Sequence, residues 1–401
     1  MNARTQDAAS GTTSGSAIQR KWFIITPEYP PHSGGVSDYT HLVALGLTEA
    51  GDEVHVWGPS GSRGCGKISG LFVVDELGGF GPSDLRRTGR SLNRFVRPRR
   101  LVVQWVPHGY GFRSVNVPFC LWLWARAMFR GDEIDIVVHE PCLAFDEGSW
   151  RQKLVAAVHR FMTVILLLAA HQVWITIPAW ESRWRPWALG RKVPFQWLPV
   201  PSNIPVNSDP GSVTQVRRRY LTGTGFLLGH FGTHGAPVTK LLEKILPLLL
   251  DQHSEATVLL IGSGSDRFRE KLLIAAPVLA GRVHATGSLC PVELSSHLLA
   301  CDLMLQPYPD GISTRRTSAM AAMAHGRPMV TTSGHLTEGF WIESRVAAIT
   351  PAHQEGAFVE AASRLLADGA ERSRMGRQSM EFYAQKFDLR HIVATLRGSI
   401  A

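Results

Sequence analysis

The chain has 401 residues, of which 44% are apolar and 19% are charged. This composition excludes a mostly disordered chain, and the length predicts two or three domains. Lysine and arginine number 42 against 33 acidic residues, so the net charge of +9 favours an anionic partner. Charge alone leaves nucleic acid, a lipid surface and a phosphorylated ligand open.

The cysteine pattern indicates a reducing compartment. The five cysteines are Cys65, Cys120, Cys142, Cys290 and Cys301. They are odd in number and form no Cys-x2-Cys pair, which argues against a disulfide framework or a zinc knuckle. The sequence therefore predicts a cytoplasmic protein.

The sequence predicts neither a secretion signal nor a membrane-spanning helix. Residues 1–20 are rich in Ser, Thr, Gly and Ala and lack the apolar core of a secretion signal, so we expect a disordered tail. The most apolar stretch, Phe161–Ala170, is about half as long as the roughly 20 residues of a spanning helix. It predicts a buried helix.

From Lys21 onward, short β-branched or aromatic runs alternate with longer helical segments, which predicts a parallel sheet covered by helices on both faces. The strands predicted in the first half are Trp22–Thr26, Glu53–Trp57, Leu71–Asp75, Leu101–Val106, Ile134–His139, Val173–Ile177 and Gln196–Val200. The helices predicted there are Ser37–Glu49, Asp84–Val96, Pro118–Phe129, Arg151–Ala170 and Ala179–Trp187.

A segment dense in turn residues, Pro199–Gly211, predicts an interdomain linker, after which a second alternating series begins. Its predicted strands are Phe226–Phe231, Thr257–Gly262, Val283–Thr286, Leu303–Pro307, Pro328–Thr332 and Ala347–Thr350. Its predicted helices are Val238–Leu250, Asp266–Ala275, Pro291–Ala300, Arg316–His325, Glu355–Ala367, Ala370–Lys386 and Leu389–Ser399.

The fold class is thus α/β, with two doubly wound parallel-sheet domains in tandem. We place the first domain at residues 21–203 and the second at 204–385, and we expect residues 386–401 to form a helix that packs back toward the first. Because ligands bind at the carboxyl ends of parallel strands, the cleft between the domains is the expected site.

Glycine-rich turns follow three of the predicted strands. Gly34 and Gly35 precede the first helix, and the turns Gly229–Gly235 and Gly262–Asp266 follow two strands of the second domain, with Asp266 expected as a helix N-cap. Such turns let backbone N–H groups approach a phosphate at a helix N-terminus, although a tight strand-to-helix turn alone would look the same.

The segment Gln306–Thr332 is the most informative. A strand exits into a turn at Asp310 and Gly311, and Arg315 and Arg316 lie at the start of the next helix. Cations are unfavourable at a helix N-terminus, so two arginines there indicate a bound anion, most simply a diphosphate; the alternative is a solvated arginine pair.

These motifs resemble those of nucleotide-sugar glycosyltransferases with the GT-B fold, specifically the retaining family-4 type, also called glycosyl transferases group 1. The opening loop Pro27–Tyr39 resembles the family's Pro-Glu-x-Pro-Pro…Gly-Gly-Val loop. The stretch Ala322–Val330 is similar to its Ala-Met-Ala-x-Gly-x-Pro-Val-Val motif, and Leu198–Asn203 and Val258–Gly264 also match. The resemblance covers about Lys21 to Ala401.

The resemblance implies transfer of a sugar from a nucleotide diphosphate donor, held by the second domain, to an acceptor held by the first. It implies retention of anomeric configuration, with no metal and no cofactor. Gly34 and Gly35 would face the diphosphate and acceptor, and His139, at the end of a first-domain strand, would lie beside the transferred sugar. His108, which ends a neighbouring predicted strand, is the second candidate.

The sequence departs from the family in the donor site. The family's phosphate-binding Arg and Lys fall on His230 and His234, and its Glu-x7-Glu motif would fall on Ser313 and Ala321. We expect Asp310 to contact the sugar instead. The residues expected to bind the donor are Gly34, Gly35, His230, Gly232, Thr233, His234, Gly262, Gly264, Ser313 and Arg315, with catalytic roles for His139, His108, Asp310 and Arg316.

One basic segment is independent of the family. Arg86–Arg100 holds seven arginines and no acidic residue, and four of them recur at helical spacing on one face of the helix predicted from Asp84. These four are Arg86, Arg90, Arg94 and Arg97. The pattern fits docking on an anionic leaflet, binding of a pyrophosphate-linked lipid acceptor, or an ordinary solvated face.

The function that we expect is therefore a glycosyltransferase of polysaccharide or glycolipid assembly, acting on a lipid-linked or saccharide acceptor at the inner face of the cytoplasmic membrane. A non-catalytic GT-B-like protein that binds a sugar nucleotide or an assembly partner is the main alternative, and a nucleotide-sugar epimerase is a lesser one. Nucleic acid is disfavoured, because no zinc finger, recognition helix or aromatic-basic platform is evident.

Overall fold

The computed structural model describes residues 20–32, 34–63, 67–143, 145, 149–207, 209–221 and 223–398. The predicted tail up to residue 19, Cys65 and the last predicted helical residue, Ser399, lie outside these ranges. The strands are β1 (Lys21–Ile25), β2 (Glu53–Pro59), β3 (Leu71–Gly78), β4 (Arg100–Trp105), β5 (Glu133–Val138), β6 (Ala170–Ile175), β7 (Phe195–Trp197), β8 (Phe226–Phe231), β9 (Ala256–Ile261), β10 (Val283–Ala285), β11 (Leu303–Gln306), β12 (Met329–Ser333) and β13 (Ala348–Pro351).

The helices alternate with the strands along both halves of the chain. They are α1 (Gly35–Glu49), α2 (Pro82–Leu92), α3 (Val117–Arg130), α4 (Trp150–Ala169), α5 (Ala179–Trp184), α6 (Pro210–Tyr220), α7 (Ala236–Gln252), α8 (Ser265–Ala275), α9 (Pro291–Ala300), α10 (Thr317–Ala324), α11 (Gly339–Ser344), α12 (Glu355–Ala367), α13 (Gly369–Lys386) and α14 (Leu389–Gly398). Short 3₁₀ turns cover Phe112–Ser114, Arg185–Ala188 and Pro277–Leu279.

The first domain contains a seven-stranded sheet in the order β3-β2-β1-β4-β5-β6-β7, and every strand pair in it is parallel. Side chains of β1 alternate between its two faces, so Phe23 and Ile25 join one core cluster and Trp22 and Ile24 the other. Burial on both faces explains why these strands are continuous apolar runs in the sequence.

The second domain repeats this plan with a six-stranded parallel sheet in the order β10-β9-β8-β11-β12-β13. Leu259 and Ile261 of β9 point to one core cluster, while Val258 and Leu260 point to the other. The prediction of an α/β fold with two doubly wound parallel sheets is confirmed.

All thirteen predicted strands are present, with ends displaced by at most three residues. The predicted linker was wrong in part, because α6 begins inside it at Pro210. The Asp209 side chain accepts hydrogen bonds from the backbone N–H groups of Gly211 and Ser212, so the Asp-Pro pair that reads as a turn is in fact a helix N-cap followed by Pro at the first helical position. The short helix α11 was also missed.

Helix α14 packs against the first domain, although it follows the second along the chain. Its Ile392, Val393 and Leu396 belong to the same core cluster as Val43 and Leu47 of α1. Where the chain first passes between the domains, Leu198 and Val200 pack in that first-domain cluster and Ile204 packs in the second domain. The chain therefore crosses between the domains twice.

Helix α4 contains the apolar segment predicted as a buried helix, and most residues of that segment are buried. Met162, Ile165 and Leu166 on its inner face are buried in the first-domain core, whereas Trp150, Leu154 and Phe161 are exposed. It is the one described helix long and apolar enough to cross a membrane by length and composition. Its buried inner face is that of a core helix.

The close packing of α13 on the end of α10 yields a stability prediction. A Cβ atom at Gly376, inside α13, would lie 2.3 Å from the Gly326 carbonyl oxygen. We expect Gly376→Ala to lower the free energy of unfolding by about 1–3 kcal/mol, because backbone must shift, despite the better helix propensity of alanine. Urea denaturation measures this change.

Gly356 in α12 is the matched control, because a Cβ atom there meets nothing within 4 Å. Gly356→Ala should leave stability unchanged or raise it by up to about 1 kcal/mol. Equal stabilisation by both substitutions would contradict the packing described here.

Candidate functional site

The carboxyl ends of both sheets open into one interdomain cleft, and the loop after β11 bridges it. Thr314 Oγ1 donates to the carbonyl oxygen of Thr176, which follows β6, at 2.9 Å. The Val200 N–H donates to the Thr314 carbonyl at 3.3 Å, and Asn203 Nδ2 donates to Asp38 Oδ2 at 2.9 Å. The loop that carries the predicted arginine pair is thereby fixed against the first domain.

The two arginines share one carboxylate. Arg315 Nη2 lies 2.9 Å from Asp310 Oδ2, and Arg316 pairs with the other oxygen, Asp310 Oδ1. Although burial opposes the charged form, the guanidinium groups of Arg316 and Arg315 hold the pKa of Asp310 below its ordinary value. The pairing of Asp310 with both arginines was not predicted from the sequence.

Aromatic rings support both guanidinium groups at the cleft. Arg315 lies over the Trp180 ring at 5.6 Å, and Arg316 lies over the Tyr308 ring at 4.7 Å. The Nε atoms of both arginines are buried and have no hydrogen-bond partner among the described residues. Arg316 is the N-cap of α10, which begins at Thr317, so the pair lies at a helix N-terminus as expected.

His139 directly follows β5 and is buried. Its Nε2 lies 2.7 Å from Gln104 Oε1, its ring packs edge-on against Tyr39 at 4.8 Å, and Trp180 Nε1 donates to its carbonyl at 3.2 Å. Burial lowers the pKa of His139 to about 3, so the imidazole is neutral at physiological pH. With Nε2–H donating to Gln104, Nδ1 is the acceptor nitrogen.

His108 and His139 differ in their surroundings, although both follow neighbouring strands. The His108 side chain is 63% exposed, and its Nδ1 lies 3.4 Å from Glu140 Oε2. The other oxygen of Glu140 lies 4.0 Å from Arg315 Nη1. Glu140 thus connects the predicted histidine side of the cleft with the arginine side, and sequence reasoning missed it although it adjoins His139.

The turn before α1 differs from a free phosphate cradle. The Glu28 carboxylate accepts hydrogen bonds from the N–H groups of Val36 and Ser37, at 2.9 and 3.0 Å, and so occupies the N-terminus of α1. Gly34 is the helix N-cap and Gly35 its first residue. A carboxylate of the same loop therefore already binds two N–H groups at this helix end, which the sequence did not predict, while the predicted roles of Gly34 and Gly35 stay predictions.

The glycine turns after β8 and β9 pack backbone to backbone. Gly262 has a φ of +111°, and a Cβ atom there would lie 2.4 Å from the Gly232 carbonyl oxygen. Gly264 is the left-handed N-cap of α8, so Asp266 lies in the first turn and is not the N-cap that the sequence predicted. Thr233 is exposed beside this contact. The N-termini of α7 and α8 are thereby brought together.

Two histidines lie in the first of these turns. His230 is buried, and its Nδ1 donates to the Leu305 carbonyl at 2.7 Å; burial lowers its pKa to about 3. The His234 ring lies edge-on to it at 5.1 Å, and its Nδ1 donates to the Ser263 carbonyl at 3.2 Å. Burial also lowers the pKa of His234. Neither ring is a fixed cation at neutral pH.

A buried carboxylate reaches the same loop from further along the chain. Glu338 Oε1 lies 3.0 Å from the Thr314 nitrogen and 2.6 Å from Thr314 Oγ1, and Glu338 Oε2 accepts from Trp341 Nε1 at 2.9 Å. Burial raises the pKa of Glu338. Ser313, where the family's first motif carboxylate would fall, is fully buried, and its Oγ has no partner among the described residues. No sequence signal pointed to Glu338.

The basic segment of the first domain divides into two groups. Helix α2 ends at Leu92, so Arg94 and Arg97 lie beyond the helix that was predicted to carry them. The chain turns inward there, because Phe95 packs on Phe23 at 5.0 Å. Buried Arg99 and Arg100 pair with Asp132 and Asp135, and Arg87 pairs with Asp84. The exposed arginines without an ion pair to any described residue are Arg86, Arg90, Arg94 and Arg97.

Among the described residues, no group of three or more His, Cys, Asp or Glu side chains is arranged to hold a metal ion. The cationic groups at the cleft are instead Arg315 and Arg316. Because Asp310 neutralises one of them, the cluster retains one net positive charge.

Residues 226–368 match the family model described as "Glycosyl transferases group 1". None of the curated proteins compared with the sequence matches it. Solved structures with the same fold include sucrose-phosphate synthase from Thermosynechococcus elongatus, with a TM-score of 0.68 and 16% identity over 95% of this chain and 98% of that one.

Two further similar structures are WaaG, a glycosyltransferase involved in lipopolysaccharide biosynthesis, and Anabaena HepE in complex with UDP. WaaG has a TM-score of 0.65 and 14% identity, covering 95% of this chain and 99% of that one. HepE has a TM-score of 0.63 and 14% identity over the same shares. The fold of this chain is therefore GT-B, and its residues 226–368 match the group 1 glycosyltransferase family.

The buried neutral state of His139 predicts a pH dependence of stability. Its folded pKa, about 3, is below the unfolded value of about 6.5, so between these values the unfolded chain binds one more proton. We expect the free energy of unfolding to fall with decreasing pH in this window, by up to about 1.4 kcal/mol per pH unit from this residue. His139→Gln should remove that part of the slope in denaturation measured from pH 7 to 4.

Thr214→Ala, at an exposed uncharged residue of α6, is the control for this measurement and should give a slope parallel to that of the wild-type protein. A wild-type slope that persists in His139→Gln would show that His139 is not held neutral in the folded state.

Proposed function

We propose that this protein transfers a sugar from a nucleotide diphosphate donor to a hydroxyl acceptor with retention of configuration, in polysaccharide or glycolipid assembly. The observation that carries the proposal is the Asp310–Arg315–Arg316 cluster, which Thr314 fixes at the interdomain cleft opposite Glu140 and His139. It combines an anion site in the second domain with a buried neutral histidine in the first.

The donor diphosphate lies against the second domain in this proposal. Arg315 and Arg316 bind phosphate oxygens in place of, or together with, Asp310, since guanidinium groups that share a carboxylate can also share a phosphate. Gly262 and Gly232 bring the N-termini of α7 and α8 together, and the positive ends of both helix dipoles favour an anion there. The arginines supply the cationic charge that a metal-independent reaction requires.

Transfer places the largest electrostatic demand on the leaving group. Negative charge accumulates on the nucleoside diphosphate as the glycosidic bond breaks, and preorganised donors at that point lower the barrier. Arg316 and Arg315 hold this position, while Asp310, released from one arginine, accepts a hydrogen bond from a sugar hydroxyl. The acceptor hydroxyl attacks from the same face, and its proton passes to the departing phosphate.

His139 orients the reacting sugar or the acceptor in this proposal. The neutral ring, fixed by Gln104, presents Nδ1 as a hydrogen-bond acceptor for a hydroxyl group. His108 and Glu140 lie nearer the solvent, where the acceptor enters.

The test begins with a thermal-shift screen of UDP-, GDP-, ADP- and dTDP-glucose, since a ligand that binds the folded state raises its melting temperature. Release of the nucleoside diphosphate is then followed with and without lipid-linked and saccharide acceptors. Acceptor-dependent release, and NMR of the product's anomeric proton, test transfer and retention. Stabilisation without any product would instead support a non-catalytic sugar-nucleotide-binding protein, and an inverted product would overturn retention.

Loss of a diphosphate contact should reduce turnover strongly. We expect Arg316→Ala to lower kcat at least about 10²-fold, as the loss of one oxyanion donor does elsewhere. Steady-state kinetics measure this change. Arg218→Ala, at an exposed site on α6, is the control and should keep normal turnover. Near-normal kcat in Arg316→Ala would contradict the assignment.

One surface of the first domain supports the proposal that the protein acts at the inner face of the cytoplasmic membrane. A groove of about 700 Å³ separates α2 from α3, and Arg86, Arg90, Leu121 and Phe129 are among its lining residues. Phe129 is 72% exposed, and other apolar side chains of α3 and α4 are also exposed. Apolar groups flanked by arginines fit an interface of anionic lipids, and this surface would bring a lipid-linked acceptor to the cleft.

Reversal of charge on this surface should weaken membrane binding. We expect Arg86→Glu/Arg90→Glu to bind vesicles of 30% phosphatidylglycerol at least about 10-fold more weakly, since each basic residue contributes about 1 kcal/mol near an anionic surface. Liposome flotation measures binding. Arg218→Glu/Arg219→Glu, with the same change in charge, should behave like wild type. Equal flotation with neutral and anionic vesicles would contradict the proposed contact with anionic lipids.

A further inference from the structure

His234 lies in the turn between β8 and α7. One of its ring nitrogens forms a hydrogen bond to another described residue, and the other does not. A carbonyl oxygen can only accept, so its Nδ1, 3.2 Å from the Ser263 carbonyl, carries the proton. Nε2 is buried and has no hydrogen-bond partner among the described residues. The residue has a φ of +52°, a region that residues other than glycine rarely adopt. The unpaired Nε2 leaves one hydrogen-bonding position of the ring open to a ligand.

The turn is placed to contact a phosphate. It leads into the N-terminus of α7, whose N-cap Gly235 provides no side-chain cap, and it packs against the turn that begins α8. Neither turn contains a lysine or an arginine. His234 and His230 are the only side chains there that can become cationic.

The charged side chains of the cleft offset little of a donor's charge. The diphosphate of a nucleotide sugar carries two negative charges, whereas Asp310 pairs with both Arg315 and Arg316, and Glu140 lies 4.0 Å from Arg315. Protonation of one imidazole would add a positive charge where the diphosphate needs one. His234 is better placed than His230, whose ring is fully buried and held by the Leu305 carbonyl.

We propose that His234 binds the donor diphosphate as an imidazolium, so that donor binding takes up one proton from solvent. The inference rests on the proposed function, because it requires a sugar nucleotide in this cleft. The proton is added to Nε2, which then donates to a phosphate oxygen while Nδ1–H keeps its bond to the Ser263 carbonyl.

Opposing influences act on the pKa of His234, and burial is the largest of them. Burial lowers its pKa, and it prevails over the Ser263 and Gly232 carbonyls and the Asp266 carboxylate, which favour the charged ring. The titratable groups that contact or influence it are His230 from β8 and Asp266 from α8, and the Phe268 ring packs at 5.9 Å. A diphosphate against Nε2 adds two negative charges and raises the pKa in the complex.

The sign of the effect follows from this shift. The free enzyme holds His234 neutral at pH 7, and the complex holds it charged, so the complex binds one more proton. Donor affinity therefore rises as the pH falls through the window between the two pKa values, up to tenfold per pH unit. The donor diphosphate does not titrate there, because each of its phosphates has one ester bond and one anhydride bond and keeps only a strongly acidic group.

Isothermal titration calorimetry tests this inference with the sugar nucleotide, among UDP-, GDP-, ADP- and dTDP-glucose, that stabilises the protein most. We expect the Kd to fall up to tenfold per pH unit over part of the range from pH 8.5 to 5.5. Titrations in buffers of different ionisation enthalpy should show uptake of up to one proton.

Variants of His234 test whether its side chain binds the donor diphosphate. His234→Gln should bind weakly and without proton uptake, and His234→Lys, a fixed cation, should bind more tightly than the Gln variant and equally without pH dependence. His284→Gln changes a partly buried histidine on β10 whose pKa burial also lowers, and it should keep the wild-type pH profile.

A flat wild-type Kd against pH, or a slope that persists in both His234 variants, would overturn the inference while leaving the proposed function intact. Failure of all four sugar nucleotides to bind at any pH would overturn the proposed function and this inference with it. Thermal unfolding of each variant verifies that it is folded.

Discussion

The contacts of Thr314 are the constraint on which the rest of the site depends. Its hydroxyl bridges the Thr176 carbonyl of the first domain and the buried Glu338 carboxyl of the second, and its carbonyl accepts from Val200. Because the next two residues are Arg315 and Arg316, this anchor fixes the position of both guanidinium groups. A loop held on both sides of the cleft loses little further conformational entropy when a ligand binds.

Acidic and basic side chains in the cleft partly offset each other's charge. Asp310 offsets one of two adjacent arginines, which would otherwise repel each other at a helix N-terminus, and it leaves the pair one positive charge. Burial lowers the pKa values of His230 and His234, so both are neutral at neutral pH. Without ligand, the site therefore has two fixed cations, Arg315 and Arg316, and two neutral histidines. In our proposal, donor binding adds a proton to one of these histidines.

Much of the fold follows from local sequence patterns. Continuous apolar runs predicted β1, β4 and β9 because strands covered on both faces carry apolar residues at every position. The helix α6 and the early end of α2 were not predictable in the same way: Asp209-Pro210 is compatible with both a turn and a helix start, and α2 ends where Phe95 turns toward Phe23, a contact distant in sequence.

By itself, the sequence determined the two-domain α/β architecture, the glycine turns and the presence of Arg315, Arg316 and His139 at strand or helix ends, because each depends on spacing along the chain. Only the tertiary structure decided that Glu28 fills the N-terminus of α1, that Asp310 bridges the arginines, and that Glu140 and Glu338 join the site. Those pairings connect different loops or span different elements, and burial and side-chain geometry select the partner of each carboxylate.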